Sequence, residues 1–291
     1  MDDIKLKLGG VPEHFNLLWD LDNCRSLFSA QGISYNFFEF PGGTGAMSEA
    51  VKSGFLDGAV ILTEGAVSEI SRGADYKIVC PFVESPLFWG IFSSAQHQIT
   101  DLSDLGNRKF AISRFNSGSH LMAQYLAFQN DIKLTHDNFY PADDLNGARK
   151  ALASGNADLF LWEKFMTRPL VVAGEFKQVG EVTPPWNSFV LVMRQDVIDK
   201  NPELVERFKT AIGRAGREFK SIVDAPEKIV SRYHISLEDA REWFGQVKYY
   251  DGNTDFFAAI DRTAALLHRF NITKRVPASN ELLFRTNGDL K

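Results

Sequence analysis

Short apolar runs alternate with stretches of helical periodicity along most of the chain. Apolar or alternating runs of about four to eight residues are typical of strands, and apolar positions three or four apart are typical of amphipathic helices. On this basis we predict strands at 4–8, 35–40, 58–62, 77–82, 87–92, 109–113, 159–162, 176–182 and 188–193. We predict helices at 15–30, from the 41–45 loop to about 53, and at 64–72, 118–130, 144–153, 202–222, 225–233, 236–245 and 254–270. This alternation predicts an α/β fold with open, mostly parallel sheets and helices on both faces.

The segment 108–128 is the most informative junction between a predicted strand and a predicted helix. Its loop, 113–119, is polar and contains Gly118. A helix start leaves backbone N–H groups unsatisfied and carries a partial positive charge, so it can bind a carboxylate, sulfonate or phosphate. Arg114 would add a bidentate donor. The alternative is that Ser117 or Ser119 only caps the helix, which is the commoner role of serine at such a position.

A weak internal repeat links two regions of the chain. Segments 50–57 and 151–158 share the pattern A-x-x-S-G-x-x-D, and each follows a predicted helix and precedes a predicted strand. Glycine just past a helix end is a common terminator, and the aspartate would then lie in the turn into a buried strand. The repeat indicates two lobes of similar build.

The order of the elements predicts a discontinuous first lobe. We assign 1–93 and 190–291 to lobe one and 94–189 to lobe two, with two hinge strands near 92–96 and 188–193. The C-terminal helices would pack on lobe one. The length of 291 residues is enough for two domains of ordinary size.

Composition excludes several classes of function. Hydrophobic residues make up 44% and charged residues 24%, which is typical of a globular protein. The net charge of −5 and the lack of a basic cluster argue against nucleic-acid binding. No apolar run approaches the ~18–20 residues that span a membrane, so we expect no membrane insertion. The first ten residues lack the apolar core of a signal peptide, so we expect a cytoplasmic protein, or a periplasmic one whose signal segment was removed.

The chain has two cysteines. Cys24 lies in a predicted helix and Cys80 in a predicted strand. Buried free thiols are therefore expected rather than a disulfide.

Six segments, taken in order, resemble the nitrate/sulfonate/taurine-type solute-binding proteins of ABC transporters. They are 9–15 (GGVPEHF), 41–45 (PGGTG), 53–60 (SGFLDGAV), 109–120 (KFAISRFNSGSH), 154–163 (SGNADLFLWE) and 185–192 (PWNSFVLV). No single segment is specific, and it is their order that resembles the family. The resemblance implies the type II periplasmic-binding-protein fold, in which two Rossmann-like lobes joined by two hinge strands close over a small molecule. The yeast thiamine-pyrimidine synthase group is related and shares that fold.

The strand-to-helix loops are the expected ligand site. Ligands of open α/β sheets bind beyond the carboxyl ends of the strands, and the resemblance implies contacts from both lobes. The candidate ligand-binding residues are Glu13, His14, Phe15, Gly43, Thr44, Glu64, Arg114, Ser117, Gly118, Ser119, His120, Glu163, Trp186 and Asn187.

Each candidate also has a structural alternative. His14 is typical of an exposed loop and His120 of a first helical turn, Gly43 permits a tight turn, and Thr63 would cap the helix that holds Glu64. Glu163 is the stronger acidic candidate, because it ends an apolar strand, where an unpaired buried charge is costly. Trp186 is the best candidate for ring stacking, because its Pro-Pro-Trp-Asn context is typical of a loop.

The candidate residues restrict the ligand class. Arg114 and the helix start favour an anionic or acceptor group, the three glutamates favour a donor or a cation, and the aromatic residues favour a flat ring. A small zwitterion, or an amino-substituted heterocycle such as a thiamine-type pyrimidine, would satisfy all three.

We expect a binding protein that works by hinge closure. It would be the solute-capturing component of an ABC importer, with a permease partner, or a cytoplasmic homologue of one. No cofactor and no metal are expected, because no third metal ligand stands at a characteristic spacing and no lysine follows Gly43 and Gly45 in the phosphate-loop pattern.

The alternative is an enzyme of the thiamine-pyrimidine synthase type, for which the resemblance implies pyridoxal phosphate on a lysine, and iron. The chain departs from that group because it lacks the cysteine-rich iron segment and has no lysine in the lobe-one loops. Lys52 lies in a predicted helix instead. Ser119 and His120 are adjacent, which does not place them as nucleophile and base of a hydrolase.

Overall fold

The computed structural model describes residues 4–97, 99, 101–252 and 256–285. The chain divides into two compact units, unit 1 (1–85 and 186–291) and unit 2 (86–185). The chain passes between the units at 85/86 and 185/186, a few residues before the boundaries predicted at 93/94 and 189/190.

The described residues contain ten strands in two sheets. The strands are β1 (Ile4–Gly10), β2 (Ile33–Glu39), β3 (Gly58–Leu62), β4 (Tyr76–Val83), β5 (Trp89–Ser94), β6 (Phe110–Ile112), β7 (Phe139–Pro141), β8 (Leu159–Glu163), β9 (Phe176–Val182) and β10 (Phe189–Arg194). The predicted strands are all present, whereas β7 was not predicted, because it is a three-residue edge strand that ends in proline.

The described helices surround these sheets. The α-helices are α1 (Asp22–Ser29), α2 (Gly43–Lys52), α3 (Thr63–Ser71), α4 (Gly118–Gln129), α5 (Leu145–Ala153), α6 (Lys164–Val172), α7 (Gln195–Lys200), α8 (Pro202–Ser221), α9 (Ala225–Tyr233), α10 (Leu237–Gln246), α11 (Phe257–Arg269) and α12 (Ser279–Leu282). Short 3₁₀ helices occupy His14–Asp20, Leu105–Asn107 and His136–Asn138. Part of the segment predicted as helix at 254–270 lies outside the described residues. Helices α6, α7 and α12 were not predicted. Pro169 lies inside α6, and α7 and α12 have only six and four residues.

The two sheets have the same topology. Unit 1 has the strand order β2-β1-β3-β10-β4, and unit 2 has the order β7-β6-β8-β5-β9. In each sheet the first three strands are parallel, and the fourth is antiparallel to both of its neighbours. That fourth strand is β10 in unit 1 and β5 in unit 2, the first strand after each passage of the chain between units. The predicted hinge strands are therefore inner strands of the two sheets, and the passages precede them.

The repeated segments occupy equivalent places in the two sheets. Gly54 and Gly155 have left-handed backbone angles, φ +79° and +72°, just after α2 and α5. Asp57 Oδ2 accepts the Lys7 N–H at 2.8 Å, next to the start of β3. Asp158 Oδ2 accepts the Lys109 N–H at 2.8 Å, next to the start of β8. The repeat thus ties the start of the third strand to its neighbour in each sheet.

The helix predicted at 15–30 is broken in two. Residues 14–19 of the 3₁₀ helix are all buried, and Leu21 is extended (φ −85°, ψ 128°) before α1 begins. The prediction was wrong because these apolar residues are covered on all sides, so their spacing did not mark one face of a helix. Trp19, fully buried, stacks on Phe37 and Phe82 with ring centroids 5.3 and 5.6 Å apart and anchors the core of unit 1.

Unit 2 has its own core, and both thiols lie in unit 1. Phe92, Phe160 and Phe176 pack with small residues of α5 in the unit 2 core. Cys24 and Cys80 are free and buried, as predicted. Among the described residues, no helix combines the length and the apolar character needed to cross a bilayer.

Candidate ligand site

The carboxyl ends of the parallel strands define one loop-rich edge in each unit. In unit 1 these loops follow β1, β2 and β3, and the segment before the antiparallel β10 reaches the same edge. The Thr63 N–H donates to the Ser188 carbonyl at 3.1 Å, which fixes that segment against the first turn of α3. This is the edge at which open α/β sheets bind ligands.

Glu64 and Trp186 form a buried hydrogen bond at this edge of unit 1. The Trp186 indole Nε1 donates to Glu64 Oε2 at 2.9 Å, and the two side chains are 4% and 1% exposed. Burial raises the pKa of the Glu64 carboxyl to about 7, although its own backbone N–H and the Trp186 indole lower it. The Trp186 ring also lies near Phe270, at the end of α11, with centroids 6.4 Å apart. Trp186 is therefore held in place by the carboxyl that it contacts.

Two polar atoms at the start of α3 have no hydrogen-bond partner among the described residues. They are Thr63 Oγ1 and Glu64 Oε1, and both are buried. Thr63 does not cap the helix, since α3 begins at Thr63 itself and the N-cap position is Leu62. Thr63 was not among the predicted site residues. Its place directly after β3 is the signal that would have identified it.

Thr44 and Gly43 have structural roles next to this cluster. Thr44 Oγ1 accepts the Leu62 N–H at 3.2 Å, and a Cβ added to Gly65 would lie 2.4 Å from Thr44 Cγ2. A glycine at position 65 is thus required for α2 to approach α3 closely. Gly43 has φ +69°, as its predicted turn role requires.

The 13–15 segment packs among aromatic rings. His14 is fully buried, with its ring centroid 4.2 Å from that of Trp243 and 6.4 Å from that of Tyr233. Burial lowers its pKa to about 3, so it is neutral at physiological pH. The description of His14 as an exposed loop residue is wrong, because helices α9 and α10 cover it. Phe15 stacks on Phe189 at 4.0 Å within the same core, and Glu13 is the N-cap residue of the 3₁₀ helix without a side-chain cap bond.

In the 113–120 segment of unit 2, the side chains of Ser117, Ser119 and His120 make local hydrogen bonds. Ser117 is the N-cap residue of α4, and its Oγ accepts the His120 N–H at 3.5 Å and the Arg114 N–H at 3.4 Å. Ser119 Oγ accepts the Ser113 N–H at 3.0 Å and lies 3.1 Å from Ser117 Oγ. Capping therefore accounts for Ser117, whereas Ser119 lies inside α4 and ties it to Ser113; Gly118 is the first residue of α4.

His120 accepts a hydrogen bond from the same turn. The Asn116 N–H donates to His120 Nδ1 at 2.9 Å, so Nδ1 carries no proton in this arrangement. A neutral His120 then carries its proton on Nε2. Its ring also packs edge-on against Phe139, with centroids 4.5 Å apart.

The other two junctions of unit 2 are capped in the same way. Glu163, 2% exposed, is the N-cap residue of α6, and its Oε2 accepts the Met166 N–H at 2.7 Å. Asp144 is the N-cap residue of α5, and its Oδ1 accepts the Gly147 N–H at 2.8 Å. The buried carboxylate of Glu163 thus has a structural explanation that the sequence did not indicate.

The described residues contain no group of three His, Cys, Asp or Glu side chains arranged to hold a metal ion. Lys52 lies at the C-terminal end of α2 and pairs with Glu49, and with Glu69 at 3.4 Å. This end is about 13 Å along the helix from the Gly43 junction, so Lys52 does not fit a Schiff-base site there.

Comparison with known proteins identifies the class to which this fold corresponds. The family model described as Ca3427-like PBP matches residues 89–182, which is nearly all of unit 2 and about a third of the chain. No curated protein sequence matches the chain.

Solved structures extend the likeness to the whole chain. The Candida albicans CA3427 gene product, described as exhibiting the generic periplasmic binding protein fold, is 25% identical, with a TM-score of 0.88 over 99% of this chain and 100% of that one. The alkanesulfonate-binding protein SsuA of Xanthomonas axonopodis pv. citri, bound to MOPS, is 14% identical, with a TM-score of 0.78 over 98% and 100% of the two chains. The nitrate-binding protein NrtA of Synechocystis is 13% identical, with a TM-score of 0.67 over 95% and 86%. The chain therefore has the periplasmic-binding-protein fold, and the predicted resemblance to sulfonate- and nitrate-type solute-binding proteins is confirmed.

Proposed function

We propose that the protein binds a small polar or heteroaromatic solute through the carboxyl-edge loops of its two units. The observation that carries this proposal is the pair of buried acceptors, Thr63 Oγ1 and Glu64 Oε1, without a partner among the described residues. Native proteins satisfy nearly all buried polar groups, and a group left over at the ligand edge of an α/β sheet is typical of a binding site.

Unit 2 would supply the complementary half of the site. Arg114 offers positive charge, which suits an acceptor or anionic group of the ligand. The loops of unit 1 contain the acidic side chains of Glu13 and Glu64, which suit a hydrogen-bond donor group of the ligand. A zwitterion or an amino-substituted heterocycle would match both halves.

The biological context follows from the neighbours. SsuA and NrtA are described as binding proteins for alkanesulfonate and nitrate. This chain would likewise capture a solute, either for an ABC import system with a permease partner or as a cytoplasmic homologue. Ligand binding would be coupled to closure of the units, which small-angle scattering would register as a smaller radius of gyration.

The first test is thermal unfolding against a panel of thiamine pyrimidines, alkylsulfonates, nitrate, amino acids and pyridoxal phosphate. A ligand at about 100 times its Kd stabilises the folded state by about 2.7 kcal/mol, which is easily measured. Stabilisation by one chemical class would support solute binding and name the class. No shift with any compound up to millimolar concentration would argue against the proposal.

The second test uses a matched pair of arginine variants in unit 2. Arg114→Ala should weaken binding of the active compound, whereas Arg149→Ala should not. Arg149 is a surface arginine paired with Glu175 at 2.6 Å. Equal affinity of both variants and the parent would remove Arg114 from the site.

The alternative of a thiamine-pyrimidine synthase-type enzyme stays a hypothesis without a supporting residue, since Lys52 does not fit the cofactor. Its test is an absorption spectrum of the protein mixed with pyridoxal phosphate. A Schiff-base band that disappears in Lys52→Ala would favour the enzyme over the binding protein.

A further inference from the structure

We propose that the Glu64 carboxylate and the Thr63 hydroxyl recognise an N–H donor of the ligand, as found in an amine or an amino-substituted ring. This inference rests on the proposed solute-binding function and names the ligand chemistry for unit 1. It predicts that the protein selects amino compounds over analogues of the same shape that lack the amino group.

The geometry of the cluster leaves a place for a donor. Glu64 is held by the Trp186 indole on Oε2, while Oε1 has no partner among the described residues. Thr63 Oγ1, on the preceding residue, likewise has no hydrogen-bond partner among the described residues. A buried acceptor without a partner is unfavourable, so a ligand that supplies the donor recovers this cost on binding.

The surroundings favour an ionised Glu64 once a donor arrives. Its own N–H and the Trp186 N–H both act on the carboxyl in the sense that stabilises the charged form. The start of α3 also favours negative charge. Against these, burial without a cationic partner disfavours the charge, and no salt bridge to Glu64 occurs among the described residues. A ligand ammonium or amino group would remove that penalty.

The composition of the unit 1 loops also favours a ligand with an N–H donor. Segments 11–15, 41–45, 63–65 and 186–188 contain two acids, Glu13 and Glu64, and no lysine or arginine. A simple anion would meet no side-chain countercharge from these segments. An N–H donor, charged or neutral, would meet an acceptor.

Two pairs of probes isolate the donor from the rest of the ligand. Taurine and ethanesulfonate differ in the ammonium group, and 4-amino-2-methylpyrimidine and 2,4-dimethylpyrimidine differ in an amino group replaced by methyl. Titration calorimetry on the parent should give the amino member of at least one pair an affinity at least about tenfold higher, which is typical of a hydrogen bond to a charged group.

Three variants then test which residue accepts the hydrogen bond from the ligand N–H. Glu64→Gln keeps the shape and an acceptor for Trp186 but presents an amide N–H₂ in place of Oε1, so the preference should fall to about onefold. Thr63→Val should reduce it less. Glu69→Gln is the matched control, because this glutamate lies on the same helix but pairs with Arg72 at 2.9 Å, and it should keep the full preference.

The outcomes separate this inference from the proposed function. A preference for the amino compound that survives in a folded Glu64→Gln protein overturns the inference, as does equal or tighter binding of the compounds without an amino group by the parent. Either result leaves solute binding standing. Failure of every probe and of the whole panel to bind the parent overturns both.

Discussion

The two units share one sheet topology but use the polar residues of their strand-to-helix junctions in opposite ways. In unit 2 the three junction helices α4, α5 and α6 each have a side-chain cap bond, from Ser117, Asp144 and Glu163. In unit 1 the helices at the equivalent junctions, the 3₁₀ helix 14–20, α2 and α3, have no side-chain cap bond. At the start of α3 in unit 1, Thr63 and Glu64 are buried without capping the helix.

Under the proposed function, this difference separates stability from ligand binding. A side-chain cap contributes about 1 kcal/mol and uses up backbone donors at the helix start. Unit 2 therefore gains stability from residues that the sequence also offers as ligand contacts. Unit 1 forgoes that gain and keeps a carboxyl and a hydroxyl available. Four predictions test this contrast, in order of decreasing expected effect.

The largest effect concerns acid stability and the buried His14 of unit 1. Its folded-state pKa of about 3 lies below its ordinary value of 6.5, so the stability it confers is present above 6.5 and is lost as the pH falls towards 3. The loss amounts to about 5 kcal/mol. His14→Phe should therefore flatten the decline in the free energy of unfolding over this range, measured by urea unfolding at several pH values. Phe15→Leu, which perturbs the same core without a titrating group, should lower stability and leave its pH dependence unchanged. A parallel decline in parent and His14→Phe would contradict the prediction.

The second effect has the opposite sign and concerns Glu64. Its folded-state pKa of about 7 lies above its ordinary value of 4.5, so its contribution is full below 4.5 and is lost as the pH rises through 7. Glu64→Gln should thus gain about 3 kcal/mol on the parent between pH 4.5 and pH 8. The same unfolding series measures this gain. A constant difference between Glu64→Gln and parent at all pH values would mean that Glu64 is ionised in the folded protein.

The third prediction compares one hydroxyl from each unit. Ser117→Ala should lower the free energy of unfolding by about 1 kcal/mol, because it removes a cap that serves two backbone N–H groups. Thr63→Val should leave it unchanged or raise it by up to about 1 kcal/mol, because it removes a buried hydroxyl without a partner among the described residues. Differential scanning calorimetry of the two variants decides the point. A loss of stability in Thr63→Val equal to that in Ser117→Ala would show that both hydroxyls are structural.

The smallest effect concerns what the units have in common. Asp57→Ala and Asp158→Ala each remove an acceptor for a backbone N–H at 2.8 Å, so each should cost about 1 kcal/mol. Asp57 also lies 3.5 Å from the Arg194 guanidinium, so its cost should be greater by a few tenths of a kcal/mol. Urea unfolding of both variants measures the difference. A cost confined to one of them would show that the repeat is only a similarity of sequence.

The periodicity of the sequence was sufficient for most of the fold, because apolar spacing reports which face of a helix or strand is buried. It located every described strand except β7. Through the A-x-x-S-G-x-x-D segments, it also indicated that the two units are equivalent. It failed at 15–30, where residues are buried on all sides, and at α6, where Pro169 interrupts the pattern. The candidate loops were also identified from sequence, since a loop after a strand is a local feature.

The roles of the residues within those loops depended on partners distant in the chain. Trp186 and Glu64 are 122 positions apart, and His14 is covered by Tyr233 and Trp243 from helices near the other end of the chain. Ser117, by contrast, accepts the N–H of His120, three residues further along the chain. This capping role was already named from the sequence. The sequence by itself therefore determined the elements, the repeat and the local caps, whose interactions span a few residues. Only the tertiary structure decided that Glu64 is buried against the Trp186 indole and that His14 is neutral, because burial and pKa depend on groups brought together by the fold.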